Sequence, residues 1–247
     1  QTGTDTLYLA QEIATSVTIV RSGGSSFLFA NGAGGALQIG LTGAQLNGRD
    51  IQAYTVGGAY LGFTMIGSSG TDTFIGSSQA DIILGGGGAD LLTGGLGADI
   101  FRYTATSDST ATAYDVITDF ATGSDRIDLT GLNTTSISVI RSGGSSFVYA
   151  ETPAGGFQLI ALNQAVNGND FVYGGSHGVY LIGSADADIL RGTSLADPIA
   201  GGAGNDTITG GGGADALFGD AGADTFVYVA ASDSTVAAAD GIFGFVS

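Results

Sequence analysis

From Gly183 to Val227 the chain repeats itself every nine residues, and this register constrains the fold more than any other feature. The blocks open at Gly183, Gly192, Gly201, Gly210 and Gly219, each with Asp at its sixth position and a bulky apolar residue at its eighth. The aspartates are Asp188, Asp197, Asp206, Asp215 and Asp224, followed by Leu190, Ile199, Ile208, Leu217 and Phe226. A shorter run covers Gly67 to Arg102, with Asp72, Asp81, Asp90 and Asp99 ahead of Phe74, Ile83, Leu92 and Phe101. Glycines at positions one, two and four permit the positive φ of a tight turn. The last three residues then form a short strand whose middle side chain points inward. Two blocks, eighteen residues, make one turn of a right-handed parallel roll, so blocks n and n+2 stack about 4.8 Å apart.

Stacking at that spacing brings block aspartates together in columns. Two carboxylates about 5 Å apart repel by about 3 kcal/mol at an effective dielectric of about 20, which opposes folding unless a cation lies between them. A flexible cage of carboxylates and turn carbonyls suits Ca²⁺ better than zinc or the stricter Mg²⁺. The n, n+2 pairs are Asp72/Asp90, Asp81/Asp99, Asp188/Asp206, Asp197/Asp215 and Asp206/Asp224, which predicts about five ions. Metal-free Asx turns are the simpler reading, but they do not require Asp in every block. The blocks Gly76-Ser-Ser-Gln-Ala-Asp81 and Gly192-Thr-Ser-Leu-Ala-Asp197 lack the later glycines and are expected to begin their rolls. Pro198 has no amide donor, which predicts a locally weak edge there.

A longer repeat encloses the short one. Arg21-Ser-Gly-Gly-Ser-Ser-Phe27 recurs unchanged as Arg141 to Phe147, Thr2-Gly-Thr-Asp5 matches Thr122-Gly-Ser-Asp125, and Asp115-Val-Ile-Thr-Asp-Phe120 returns in altered form as Asp240 to Phe245. The offset is 120 residues before the second nonapeptide run and 125 after it, because that run has one more block. The expected fold is all-β: parallel β-roll (β-solenoid) segments alternating with antiparallel β meander or sandwich segments, in two tandem copies. Unit one spans 1–121 (meander 1–66, roll 67–103, connecting segment 104–121). Unit two spans 122–247 (meander 122–182, roll 183–228, connecting segment 229–247). The chain is read as part of a longer array.

In the meanders, apolar residues alternate through Val17-Thr-Ile19 and Phe27-Leu-Phe29 around Ser22-Gly-Gly-Ser25, a hairpin signal, and Leu37-Gln-Ile39-Gly-Leu41 supplies a third strand. One apolar face per strand must pack on a second sheet or on the neighbouring roll. Asp115, Asp119, Asp125 and Asp128 read as solvated loop carboxylates rather than an extra metal site.

With a formal net charge of −17, six arginines and no lysine, the chain offers no basic patch for nucleic acid or anionic lipid. Without cysteine there are no disulfides or thiolate metal sites. No apolar run is long enough for a transmembrane segment, and Gln1 does not open a signal peptide, so export would be directed from outside this stretch. His177 is the sole histidine and Glu12 and Glu151 the only glutamates, too few for a zinc protease, a Ser-His-Asp hydrolase or a glycosidase pair. His177 is read as a surface loop residue. Tyr54, Tyr60, Tyr173 and Tyr180 are read as sheet packing rather than as a sugar-binding face. The chain itself is read as non-enzymatic.

The nonapeptide resembles the calcium-binding repeat of RTX (hemolysin-type) proteins. Gly94-Gly-Leu-Gly-Ala-Asp-Ile-Phe101, Ser107-Asp-Ser109, Asp115-x-Ile-x-Asp-Phe120 and Gly123-x-Asp-x-Ile-Asp-Leu129 together resemble the C-terminal β-roll module of serralysin-type metalloproteases. Similar modules occur in alginate epimerases, adhesins and surface-layer proteins. The resemblance implies that each ion takes its block aspartates plus the carbonyls of positions one and three of one turn and two and four of the turn stacked on it. Carried over, Asp72/Asp90 would use Gly67, Ser69, Gly86 and Gly88, and Asp81/Asp99 would use Gly76, Ser78, Gly95 and Gly97. Asp188/Asp206 would use Gly183, Ala185, Gly202 and Gly204, and Asp197/Asp215 would use Gly192, Ser194, Gly211 and Gly213. Asp206/Asp224 would use Gly201, Ala203, Asp220 and Gly222. The resemblance further implies type I secretion of an unfolded chain that folds on meeting calcium outside the cell. The expected role is a secreted or bacterial cell-surface scaffold, surface-layer or adhesin-like, with other copies of itself or cell-surface polysaccharide as partners. The alternative is the secretion and folding module of an enzyme (protease, lipase or epimerase) whose catalytic domain lies outside this chain.

Overall fold

The computed structural model describes residues 61–153, 157–162 and 164–245, together with five earlier strands. Those five are β1 (Leu7–Leu9), β2 (Ser16–Ser22), β3 (Ser25–Gly32), β4 (Gly35–Leu41) and β5 (Ile51–Ala53). The hairpin predicted around Gly23-Gly24 is present, closed by the Ser22/Ser25 pair. Alternation along β2 turns Val17, Ile19 and Arg21 inward, and β4 adds antiparallel to β3. β1 and β5 pair parallel.

The first roll follows as β6 (Phe63–Ile66), β7 (Thr73–Ile75), β8 (Ile82–Leu84), β9 (Leu91–Thr93) and β10 (Ile100–Arg102). Each three-residue strand buries its middle side chain, so Phe74, Ile83, Leu92 and Phe101 form an apolar row. The pairing is between alternate blocks, β7 with β9 and β6 with β8 with β10, all parallel. The chain then continues both edges of the roll. β11 (Asp115–Ile117) lies on β9, and β12 (Arg126–Asp128) lies on β10.

The second half contains β13 (Ser136–Ser142), β14 (Ser145–Glu151), β15 (Phe157–Leu162), a 3₁₀ turn at Gly168–Asp170 and β16 (Phe171–Val172). Its roll comprises β17 (Val179–Ile182), β18 (Ile189–Arg191), β19 (Pro198–Ala200), β20 (Thr207–Thr209), β21 (Ala216–Phe218) and β22 (Thr225–Phe226), and β23 (Gly241–Phe243) closes it. β17 and β19 pair at Leu181/Ile199 and Ile182/Ala200, two pairs like β8 with β10 and β9 with β11, so the weak edge expected at Pro198 does not stand out from the other rungs. On its other side Pro198 pairs normally with Ala216.

The meanders do not form a separate sandwich layer; they extend the sheets of the rolls. β2 pairs parallel with β6 and β13 with β17, so each hairpin is the first rung of its own roll. β15 also pairs parallel with β11, and β16 with β12, which ties the second meander to the end of the first roll. The two long sheets run β16-β12-β10-β8-β6-β2-β3-β4 and β23-β21-β19-β17-β13-β14-β15-β11-β9-β7, with β18-β20-β22 as a third. One apolar cluster runs from Val17 and Ile19 through both rolls to Leu217. No helix among the described residues is long and apolar enough to cross a membrane.

Candidate metal centres

The block aspartates are positioned by the glycines that open their own turns. A Cβ on Gly85, Gly94, Gly201 or Gly219 would lie within 2.4 Å of the Oδ2 of Asp90, Asp99, Asp206 or Asp224, and one on Gly210 would lie 2.1 Å from that of Asp215. The carboxylate therefore folds back over the start of its block, into space only glycine leaves. At position two, Gly202 has φ of +96°, and a Cβ there would meet the Ser184 carbonyl of the stacked turn at 2.3 Å. Asp220 takes the corresponding place in the last block at φ of +63°, a conformation Asp tolerates better than most residues. Gly210→Ala is expected to cost about 1–3 kcal/mol of stability through overpacking. Gly212→Ala meets only ordinary contacts of 3.7 Å and is expected to stay within about 0.5 kcal/mol. Denaturant unfolding of both variants in saturating calcium checks the contrast.

All five predicted aspartate pairs are in direct register. The backbone N–H of Asp72 donates to Oδ1 of Asp90 at 2.7 Å, and that of Asp81 to Asp99 at 2.8 Å. The same bond joins Asp188 to Asp206, Asp197 to Asp215 and Asp206 to Asp224 at 2.8–3.0 Å. The columns then run beyond the nonapeptides. Asp90 donates to Asp115 at 2.9 Å, Asp99 to Asp125 at 3.0 Å and Asp215 to Asp240 at 3.0 Å. Asp115 and Asp125 are therefore not solvated loop carboxylates. Both are buried, held as extra rungs by the strands that continue the roll. Asp128 is buried as well and accepts Arg102 Nε at 2.7 Å, while Asp119 accepts the N–H groups of Gly94 and Gly95. The missed signal was the motif Asp-x-apolar, which Asp115-Val-Ile117, Asp125-Arg-Ile127 and Asp240-Gly-Ile242 share with every block.

The aspartates differ in how far the protein satisfies them. In the first turn of each roll, position two is Ser or Thr, and its N–H and hydroxyl both donate to Oδ2 of the block aspartate. Ser68 does so for Asp72 at 2.7 and 2.9 Å, and Ser77, Ser184 and Thr193 for Asp81, Asp188 and Asp197. The Oδ1 atoms of Asp72 and Asp188 receive Arg21 and Arg141 at 3.4 and 3.1 Å. Phe63 N–H and Val179 N–H donate to those of Asp81 and Asp197. In the next turns position two is glycine, no hydroxyl is available, and Oδ2 of Asp90, Asp99, Asp206 and Asp215 is buried with no hydrogen-bond partner. Oδ2 of Asp115 and Asp240 is likewise buried without a formed bond.

These environments favour the neutral acid when no cation is present. Burial pushes Asp90 and Asp215 up to about 6, Asp99 to about 7 and Asp115 to about 8. It also raises Asp81, Asp125, Asp197 and Asp206. In Asp128 burial acts in the same direction, but the bonds from Thr130 and Arg102 outweigh it and hold the carboxyl below its ordinary value.

Among the described residues, no three carboxylate or histidine side chains converge on one point. A cation in a column would therefore need turn carbonyls to complete its shell. In the turns beside the columns, Gly86, Gly88, Gly95, Gly97, Gly202, Gly204, Gly211, Gly213 and Gly222 all hold positive φ. The Gly202 carbonyl accepts the Ala221 N–H at 2.8 Å, and a carbonyl oxygen retains a second lone pair.

The remaining candidates are structural. His177 is half-buried rather than a free surface residue, stacked on Tyr173 at 4.9 Å with its ring nitrogens bonded to Thr134 and Gly178. Tyr173 packs against the core and Tyr180 is exposed, while Tyr54 and Tyr60 lie outside the described residues.

Residues 55–173 match the family described as peptidase M10 serralysin C terminal. Residues 165–197 and 191–226 match the RTX calcium-binding nonapeptide repeat. Two solved structures similar to the chain are the R2 and R3 subunits of the AlgE6 mannuronan C5-epimerase of Azotobacter vinelandii, both 25% identical. The first covers 45% of this chain and 80% of its own, with a TM-score of 0.38. The second covers 43% and 80%, with a TM-score of 0.34. No curated protein matches the chain.

Proposed function

We infer that this chain, which carries RTX calcium-binding nonapeptide repeats, is a type I-secreted scaffold whose rolls become ordered on binding extracellular Ca²⁺. The observation that carries the reading is the row of buried, partnerless carboxylate oxygens on Asp90, Asp99, Asp206 and Asp215. Leaving buried ionised groups unpaired is expensive, and an all-oxygen site of this kind fits a calcium ion. When bound, calcium supplies the positive charge those oxygens lack. The residues that would hold it are the stacked aspartate pairs with the turn carbonyls assigned above. Each of the five pairs contains one of these four oxygens, in keeping with about five ions.

A role at the bacterial surface, surface-layer or adhesin-like, is supported by the two tandem units of the sequence. The match of residues 55–173 to a serralysin C-terminal family favours a second reading, the secretion and folding module of an enzyme. A protease or hydrolase motif elsewhere in the same polypeptide would decide for the second and against the scaffold. For calcium itself, titration calorimetry is expected to find about five ions with dissociation constants on the order of 10⁻⁴–10⁻³ M, the range of extracellular modules. A single ion, or none, would remove the basis for the reading.

A further inference from the structure

Each roll begins at a buried arginine. Arg21 on β2 and Arg141 on β13 hold equivalent places in the two halves and are 4% and 6% exposed. Among the described residues no other arginine is buried. Burying a guanidinium is costly unless it is paired and hydrogen-bonded. Arg21 reaches Asp72 Oδ1 at 3.4 Å and lies 4.2 Å over the ring of Phe74. Arg141 reaches Asp188 Oδ1 at 3.1 Å, and its Nη2 donates to the Val166 carbonyl and to Asn167 Oδ1. β2 and β7 belong to different sheets, as do β13 and β18. Each guanidinium therefore ties the hairpin in one sheet to the first block of the roll in another.

The arginines also stand at one end of an aspartate column. Oδ1 of each later aspartate accepts the backbone N–H of the aspartate one turn back, Asp90 from Asp72 and Asp206 from Asp188. Asp72 and Asp188 come first in their columns, and there the arginine takes that donor's place with a full positive charge. Their Oδ2 atoms are met by Ser68 and Ser184. The neighbouring columns start at Asp81 and Asp197, which receive Phe63 and Val179 N–H on one oxygen and Ser77 and Thr193 on the other. The first turn of each roll is thus satisfied by the protein itself. One turn on, Oδ2 of Asp90, Asp99, Asp206 and Asp215 is buried with no partner. Where the first roll ends, Asp125 is met by the amides of Asp99 and Ala121 alone, and Asp115 keeps a buried Oδ2 without a formed bond.

We propose that Arg21 and Arg141 are resident cations that start the two rolls. The hairpin and first turn of each roll order at calcium concentrations too low for the later turns, and ordering spreads from that head into the rest of the roll. The reason is a difference in charge. The head closes with its acid already countered, whereas each later turn adds carboxylates that oppose stacking until a cation lies between them. The hairpin is also a short loop, whose closure costs little chain entropy, and it is the rung on which β6 and β17 stack. The inference rests on the calcium reading above and adds to it a direction of folding and the two residues that set it.

Hydrogen exchange of the full chain, read by mass spectrometry through a calcium titration, tests the order. Amides of β2, β3 and residues 63–84, and of β13, β14 and residues 179–200, are expected to gain protection at several-fold lower calcium than those of 85–102 and 201–227. Arg141→Met keeps a long side chain but leaves Asp188 without its counter-ion. It is expected to raise the calcium midpoint of 179–200 by at least about tenfold, in line with removing one partner of a buried ion pair. Residues 63–84, headed by Arg21, should keep their midpoint and serve as the control within the same molecule. Arg141→Lys retains the charge and is expected to recover much of the shift. If Arg141→Met fails to order even in saturating calcium, the wild-type order and the lysine variant decide. Protection that appears throughout each roll at one calcium concentration, or in the later turns first, overturns the proposal. So does a methionine variant with the wild-type midpoint, or a lysine variant shifted as far as methionine. A wild-type chain with no calcium-dependent protection anywhere removes the calcium reading instead.

Discussion

Removing calcium at pH 8 is expected to abolish most of the β signal in far-UV circular dichroism, and acidifying the metal-free chain is expected to restore part of it. About five sites held at a hundredfold excess over their dissociation constants contribute on the order of 10 kcal/mol. That is comparable with the entire stability of an ordinary domain, about 5–15 kcal/mol. The direction with pH follows from the raised carboxyls. Burial places Asp90 and Asp215 at about 6, Asp99 at about 7 and Asp115 at about 8 in the metal-free fold. In the unfolded chain each returns to about 3.9. Folding therefore takes up protons, and the stabilisation is complete below about pH 4 and lost as pH rises through about 6 to 8. With calcium present the order reverses, because the cation needs the ionised form and competes with protons for the same oxygens. Thermal melts at pH 5 and pH 8, each in chelator and in calcium, give the four values required. Identical spectra and melting in chelator and calcium at pH 8 would sink the calcium model.

The nonapeptide register made the rolls legible, since a period of nine with an inward apolar residue leaves little freedom in how blocks stack. Three features escaped it, each for a physical reason. The columns continue to Asp115, Asp125 and Asp240 through segments that break the eighteen-residue spacing, so the separation becomes 25 or 26. Ser77 and Thr193 belong to blocks whose missing glycines pointed only to the start of a roll, and Ser68 and Ser184 stand at the same position of their own blocks. In the fold they are caps that satisfy the first aspartates without metal. The arginines read as scattered because Arg21 and Asp72 are 51 residues apart, and Arg141 and Asp188 are 47. Only the parallel pairing of each hairpin with its own roll brings them together. How the meanders pack was equally open in the sequence, because an alternating strand shows which face is apolar but not which neighbour lies on its edge.

These caps give the second large prediction, in which two neighbouring aspartates respond with opposite sign. Asp206 is buried, its Oδ2 has no partner, and it belongs to two stacked pairs, with Asp188 and with Asp224. Asp206→Asn keeps an oxygen for the Asp188 N–H and removes a buried charge, so the metal-free fold at pH 8 is expected to gain stability. The same change impairs two calcium sites, each worth about 2.7 kcal/mol at a hundredfold excess over its dissociation constant. Asp188 is already served by Arg141 and Ser184. Asp188→Asn strips the buried guanidinium of Arg141 of its counter-ion, and breaking such a pair from one side costs about 3 kcal/mol. It is expected to weaken the metal-free and calcium-loaded forms alike, with a smaller loss of calcium. Urea unfolding of both variants in chelator and in calcium, with calcium stoichiometry by calorimetry, separates the two effects. Equal calcium loss in both would refute the division between capped first turns and cation-dependent later ones. A metal-free Asp206→Asn weaker than wild type would show that its carboxylate is satisfied by the protein after all.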